Sequence, residues 1–417
     1  MKELIYVTGK INFPFFINEI VVMRKYFDSV YVLSYGDEDK LECDKLADKY
    51  KFNYDFILEK QLSFDNFKML CCNLLNKNII EEMSFLKKTG RLNLKNIAYM
   101  YYYEWFSLIM GKYVTKRISK NKEIYLYSFW LSRPAFAIAK FNENRRGNIK
   151  QIISRTHRYD LYEEENSFNY LPFRRYIDRN LDRIYFSSRD SLKYYQEKNY
   201  SCEGHAEYCL SYLGTRNFNI RKQYNINKEE IVFASCSNMI QRKRLDLIVS
   251  LLASPSLRDI KKKWICIGDG ELFEEIKDMA RLYLDETEVF FTGRVSEEEI
   301  YKIYKEHDVD FFVNMSDSEG VPVSIMEALS MGIPCVARNV GGNADIVNDK
   351  NGFLIEKEKV SSKELDDLAK KIVDKFMQKD QYFKMMNNAF DLWNERFNTE
   401  HNVKNFCESL IANQENT

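Results

Sequence analysis

The second half of the chain alternates short apolar runs with helix-period segments, and few architectures tolerate that pattern. The runs are "IVFAS" (231–235), "WICIG" (264–268), "VFFTG" (289–293), "VDFFV" (309–313) and "PCVAR" (334–338). Between them lie segments with apolar residues three and four apart, at 243–253, 271–283, 297–306 and 322–331. A strand that is apolar throughout must be covered on both faces, and a helix between consecutive strands makes their pairing parallel. The pattern therefore predicts an open, doubly wound α/β sheet.

The first half repeats the theme less cleanly. "LIYVTG" (4–9) reads as a first strand, followed by a helix near 15–27 and by "SVYVLS" (29–34). Two long helical patterns follow, at about 65–87 and 94–118, and then "EIYLYSF" (123–129), "KQIISR" (150–155) and "RIYFSS" (183–188). At 417 residues the chain exceeds one ordinary core, and two domains of roughly 200 residues are expected. The boundary falls in "YLGTRNFNIRKQYNI" (212–226), where Gly, Asn and charge replace periodicity.

Composition narrows the function classes. The chain is 45% apolar and 30% charged, a soluble globular profile. Lys plus Arg equals Asp plus Glu, 62 of each, so charge offers no argument for nucleic acid as a partner. Nine cysteines form no C-x-x-C pair, and Cys266 and Cys335 lie inside apolar runs, as reduced core cysteines of a cytosolic protein do. "CEGHAEYC" (202–209) lacks a fourth ligand in view and is not read as a metal site. "DVD" (308–310) opens a buried strand and is read as structural, so no metal is expected. No signal peptide is recognised, and "AYMYYYEWFSLIM" (98–110) is too short to span a bilayer and carries Glu104.

Ligands of open α/β sheets bind beyond the carboxyl ends of the strands, which directs attention to "SDSEGVPVSIMEALSMG" (316–332). Glu319 lies in the loop after a strand, and Pro322 suits the first helical position. Ile325, Ala328, Leu329 and Gly332 share the face expected to pack on the sheet, with Glu327 roughly opposite. Helical side chains tilt toward the N-terminus, so Glu327 can reach back toward Glu319. The free N–H groups of the first turn between them form an anion cradle. Two hydrogen-bond acceptors and an anion cradle together suit ribose, diphosphate and sugar. The competing reading is a solvated helix glutamate plus a loop acid near a helix dipole. His157 follows the strand "KQIIS", and Gly9, after the first strand, permits close backbone approach to a ligand.

The stretch "SDSEGVPVSIMEALSMGIPCVARNVGGNADIVNDKNGFLI" (316–355) resembles the E-x7-E segment of family-4 glycosyltransferases with the GT-B fold, in its EG-x-P turn, its G-x-P before a strand, its GG-x-x-[DE]-I-V and its NG-[FY]-L. The resemblance continues through "GDGE" (268–271), "FTGRVSEEEIYKIY" (291–304) and "ASCSNMIQRKRLDLI" (234–248). "YSFWLSRPAFAIAKF" (127–141) and "ISRTHRYDLYEE" (153–164) are similar to the bacterial branch that builds capsular and exopolysaccharides. The resemblance implies two Rossmann-like domains facing across a cleft: 1–213 for the acceptor, 214–396 for the nucleotide sugar, and 397–417 as a helix crossing back to the first. It implies a retaining transferase that moves a sugar from a UDP- or GDP-sugar co-substrate to a glycan or lipid-linked acceptor, with no cofactor and no metal.

Residue by residue, the resemblance puts Glu319 on donor-sugar hydroxyls and Glu327 on the ribose. The backbone at Gly320, Val321 and Val323 falls near phosphate and sugar, Lys243 on the diphosphate, and Arg294 near the base. His157 falls beside the reacting carbon, with Arg155 and Asp160 as candidate acceptor or sugar contacts. The arginine usual in the diphosphate pair falls on Asn238, so Arg242, Arg244 or an arginine of another loop must replace it. Retention by front-face attack needs no protein nucleophile. A cytoplasmic location is expected, with peripheral association at the inner membrane face through "FLKKTGRLNLKNIAYMYYYEWF" (85–106) and "FRRYIDR" (173–179). Two alternatives stand beside this reading. One is a catalytically degenerate partner of another transferase, favoured only by Asn238. The other is a sugar-nucleotide 2-epimerase, against which the E-x7-E stretch argues.

Overall fold

The structure is a computed structural model that describes all residues except 13, 58–74, 119–120, 199–205, 286–287, 321, 357 and 413–417. Two units emerge, residues 1–212 with 403–417, and residues 213–402. Each is organised around one all-parallel sheet, as the alternation of apolar runs and helices requires.

The first sheet has seven strands: β1 (Lys2–Thr8), β2 (Ser29–Ser34), β3 (Asn53–Phe56), β4 (Glu123–Ser128), β5 (Ile149–Arg155), β6 (Arg183–Phe186) and β7 (Glu207–Leu210). Their order is β3-β2-β1-β4-β5-β6-β7. Alternation along the central strands feeds two cores. Ile5, Val7, Tyr31 and Leu33 join a layer with Met100, Phe106 and Phe136, while Leu4, Tyr6, Val30 and Val32 face Phe16 and Ile20. Val403, Phe406, Cys407 and Leu410 of helix Thr399–Ala412 complete the second layer.

The second sheet has six strands: β8 (Ile231–Cys236), β9 (Lys262–Ile267), β10 (Val289–Gly293), β11 (Phe311–Asn314), β12 (Cys335–Asn339) and β13 (Gly352–Glu356). Their order is β10-β9-β8-β11-β12-β13. Phe233, Trp264, Cys266, Phe311 and Val313 anchor its core. They pack with Leu247 and Ile248 of helix Leu245–Leu252 and with Leu368 and Ile372 of helix Ser362–Met377.

The expected α/β class is met. β3, β7 and β13, not expected as strands, sit at sheet edges, where partial exposure leaves no continuous apolar run. Of the pattern at 65–87, Lys77–Lys88 is helical and 65–74 lie outside the described residues. Helix Val323–Ser330 starts one residue later than expected: Pro322 caps it with φ −73° and ψ 116°. The Pro322 carbonyl accepts from Ile325 and Met326 N–H, so Pro322 is the first acceptor without itself being helical. Gly332 lies past the helix, at φ 79°, and closes its C-terminus instead of packing on the sheet. Among the described residues no helix is long and apolar enough to cross a membrane.

Candidate functional site

In the second unit the strand order reverses between β8 and β11, the switch point at which open α/β sheets take ligands. The loops after β8, β11 and β12 meet there. Asp317 N–H donates to the Arg242 carbonyl at 2.8 Å, tying the β11 loop to the β8 loop, and Gly342 N–H donates to the Gly320 carbonyl at 2.8 Å. Gly341 makes the second junction possible: it has φ 50°, and a Cβ there would lie 1.9 Å from the Glu319 carbonyl oxygen. Gly341→Ala is expected to lower stability by about 3 kcal/mol or more and to remove nucleotide-induced stabilisation, both read in one thermal-melt series.

Lys243 Nζ lies 2.6 Å from Glu319 Oε1, and Asn314 Nδ2 donates to the same oxygen at 3.2 Å. Burial opposes ionisation of Glu319, but the Lys243 ammonium and the hydrogen bonds outweigh it and hold the carboxyl below its usual range. Glu327 is the opposite case. It is 6% exposed, not on a solvated face. Burial first, then the charge of Glu297, push its carboxyl up to about 8. The two glutamates thus differ in protonation at neutral pH, one anionic and one able to donate a proton as well as accept.

The cations sort themselves by their partners. Arg244 pairs with Asp246 at 2.8 Å and with Asp317 at 3.4 Å. Arg338 also takes Asp317, at 2.6 Å. Arg242, in the short turn Gln241–Lys243, has no ion pair among the described residues. Asn238 and Arg294 are exposed in the loops after β8 and β10, and Val323 opens the helix that bears Glu327; Val321 lies outside the described residues. Sequence reasoning missed Asn314 and Asp317, whose roles depend on partners distant in sequence. Gly341 was legible only within the GG-x-x-[DE]-I-V resemblance. Asp310 of "DVD" is held by Lys222 and, at 2.7 Å, by Lys228. Of "CEGHAEYC", residues 202–205 lie outside the described residues.

In the first unit, His157 follows β5 with its ring against Phe129 and Trp130, centroids 4.3 and 4.6 Å away. Burial, then the charge of Arg155, lower its pKa to about 3, so the imidazole is neutral. Its Nε2 is buried without a hydrogen-bond partner among the described residues. Asp160 accepts from His157 N–H at 2.7 Å and from Leu131 N–H at 2.6 Å, joining the loops after β4 and β5. At 1% exposure, it fixes the backbone of His157. Arg155 is 2% exposed, faces Glu19 at 3.4 Å, and donates to the Tyr127 hydroxyl and the Ser211 carbonyl at 3.2 and 2.8 Å. As the last residue of β5 its side chain turns toward Glu19 and Tyr127. A Cβ on Gly9 would meet only ordinary contacts at 3.6 Å; the steric requirement falls on Gly36, whose Cβ would lie 2.0 Å from the Gly9 carbonyl oxygen.

Residues 217–389 match the family model "Glycosyl transferases group 1". The O-antigen biosynthesis glycosyltransferase WclY of Escherichia coli is 27% identical over 31% of this chain and 34% of its own length. The UDP-Gal:alpha-D-GlcNAc-diphosphoundecaprenol alpha-1,3-galactosyltransferase of Escherichia coli is 36% identical over 24% of this chain and 25% of its own length. The matched segment thus spans about a third or less of these curated relatives. Anabaena Alr3699/HepE, solved in complex with UDP, superposes over 99% of this chain and 100% of its own with a TM-score of 0.67 at 17% identity. The fold is GT-B, and the likeness to the group 1 glycosyltransferases rests on residues 217–389.

Proposed function

We propose that the chain transfers a sugar, with retention, from a nucleotide-sugar donor to a glycan or lipid-linked acceptor in bacterial surface polysaccharide synthesis. The observation that carries this reading is the Lys243–Glu319 pair at the strand-order reversal, with the buried carboxyl of Glu327 on the helix that follows. Cleaving a sugar–phosphate bond develops negative charge on the departing diphosphate, and fixed cations and oriented N–H groups stabilise that charge without reorganising. Lys243, Arg242 and the N–H groups at Gly320 and Val323 supply these, with no step through a metal. Glu319, held by Lys243, positions donor hydroxyls, and Glu327 binds the ribose. The departing phosphate oxygen takes the acceptor's proton, so no protein nucleophile is required. His157, neutral and facing away from bulk water, supplies a hydrogen bond near the reacting carbon. O-antigen synthesis and transfer to a diphosphoundecaprenol-linked sugar by the relatives support the acceptor class, and the complex of HepE with UDP-glucose supports a uridine donor. A lipid-linked acceptor would be met at a membrane surface.

The test is a thermal-shift panel of uridine, guanosine and adenosine diphosphates and their sugars. A native-state ligand raises apparent stability. A uridine-family shift is expected, weakened about tenfold in apparent affinity by Arg242→Ala. Arg244→Ala should lower the melting temperature yet keep the shift, because its guanidinium serves Asp246 and Asp317. A folded protein that no nucleotide stabilises would refute the reading.

A further inference from the structure

In the first sheet the strand order reverses between β1 and β4, so the loops after these strands flank that unit's own crevice. The loop after β1, residues 9–12, leads to helix Pro14–Met23. Its backbone is held from the neighbouring loop, which follows β2. Glu38 Oε1 accepts from Ile11 N–H at 2.7 Å and from Asn12 N–H at 3.0 Å. Glu38 Oε2 accepts from the Ser34 hydroxyl at 2.7 Å. Ile11 and Ser34 are both fully buried.

Two successive N–H groups converging on one oxygen form an anion-binding concavity, and their bonds to a carboxylate are charge-assisted. Loops at this place in doubly wound sheets commonly offer such N–H groups to a ligand's phosphate. Here the anion is the protein's own, so the loop is shaped before any ligand arrives. Steric fit acts in the same direction. The two loops touch through bare backbone, since a Cβ on Gly36 would lie 2.0 Å from the Gly9 carbonyl oxygen. Tyr35 N–H adds a hydrogen bond to the Thr8 carbonyl at 3.2 Å. The loop also meets the surroundings of His157. The Cβ position of Gly9 is 3.6 Å from Trp130 Nε1, and the Trp130 ring lies against the imidazole of His157, centroids 4.6 Å apart. In a close-packed interior, a displaced loop shifts both rings.

We propose that Glu38 is a positioning residue for the transfer reaction: its carboxylate stands where a ligand's anion would otherwise order the loop after β1, and it holds that loop against Trp130 and His157. The proposal rests on the reading of the chain as a transferase. It adds that this loop is preorganised from within, which leaves the diphosphate to Lys243 and Arg242 of the second unit.

The experiment compares wild type, Glu38→Ala and Glu38→Gln in steady-state release of UDP from UDP-glucose, with water as the acceptor, and in the thermal shift caused by UDP. The kcat of Glu38→Ala is expected to fall at least about tenfold, because small displacements of a reacting geometry are costly. KM for UDP-glucose and the UDP shift should stay unchanged. Glutamine keeps an acceptor oxygen for Ile11 and Asn12, so Glu38→Gln should retain most of the wild-type kcat. Formate, entering the space left by the carboxylate, should restore Glu38→Ala and leave wild type unaffected. A wild-type kcat in Glu38→Ala would overturn the proposal even if its melting temperature fell, since Glu38 would then serve stability alone. Equal losses of kcat in the alanine and glutamine variants would overturn it too. Where wild type releases no UDP, hydrogen exchange at the Ile11 and Asn12 amides decides instead. Protection lost in Glu38→Ala and kept in Glu38→Gln supports the proposal, and equal exchange in all three proteins overturns it. A missing UDP shift in wild type would strike the donor reading and leave this test standing.

Discussion

Lys243→Met is expected to lower kcat/KM for transfer by a factor of about 10²–10³, the usual effect of removing one preorganised group from a developing negative charge. Lys243 reaches the site from the turn after β8, and its ammonium lies 2.6 Å from Glu319. Removing it has two effects. The diphosphate loses a fixed cation, and Glu319, 9% exposed, loses the charge that keeps it ionised. The second effect predicts a coupling. Glu319→Gln alone leaves Lys243 without its partner, and the double variant Lys243→Met/Glu319→Gln should melt above the sum of the two single losses. A double-mutant cycle on melting temperature measures that coupling, and steady-state transfer kinetics measure the catalytic loss. A Lys243→Met enzyme with wild-type kcat/KM would remove Lys243 from the mechanism.

Glu327→Gln is expected to be more stable than wild type above pH 8 by a few kcal/mol and indistinguishable near pH 4. Glu327 titrates at about 8 in the folded chain, through burial and then Glu297, against about 4.3 in an unfolded one. Between those values the folded state holds a proton that the unfolded state has released. Wild-type stability therefore falls as pH rises through the window, and the whole penalty is present above the folded value. Glutamine imitates the neutral acid and cannot ionise, so its curve lacks this slope. Denaturant titrations at several pH values read the difference directly. Parallel slopes for wild type and variant would show that Glu327 ionises normally. Glu327→Ala, which removes the acceptor altogether, should weaken nucleotide binding about tenfold.

The same residues show how much of the site was legible beforehand. Glu319 was identifiable because it follows an apolar run, and the ends of strands are where such sheets bind ligands, whereas Lys243 was identifiable only through the family resemblance. Their mutual pairing was not, because residues 76 positions apart meet only when β8 and β11 lie side by side. Glu327 was placed on the correct helix, opposite the face expected to pack on the sheet, but its burial was not foreseen. Helical periodicity counts only the helix's own residues, and burial depends on the elements packed around it. Arg155 shows the same limit in a strand: the family resemblance made it a candidate contact, while its ion partner Glu19, distant in sequence, was not legible.

The sequence by itself determined the class of fold, the order of its elements and the loops that can hold chemistry, because apolar period and strand length are local properties that water enforces on any conformation. Tertiary structure decided the edge strands, the burial of Glu327, and which cation of the basic run stays available among the described residues. Arg242 and Arg244 are two residues apart in that run, yet Asp246 and Asp317 engage the second and leave the first. Charge is written in the sequence, but its partners, and with them its pKa and its availability to a ligand, are set by distances that only folding creates.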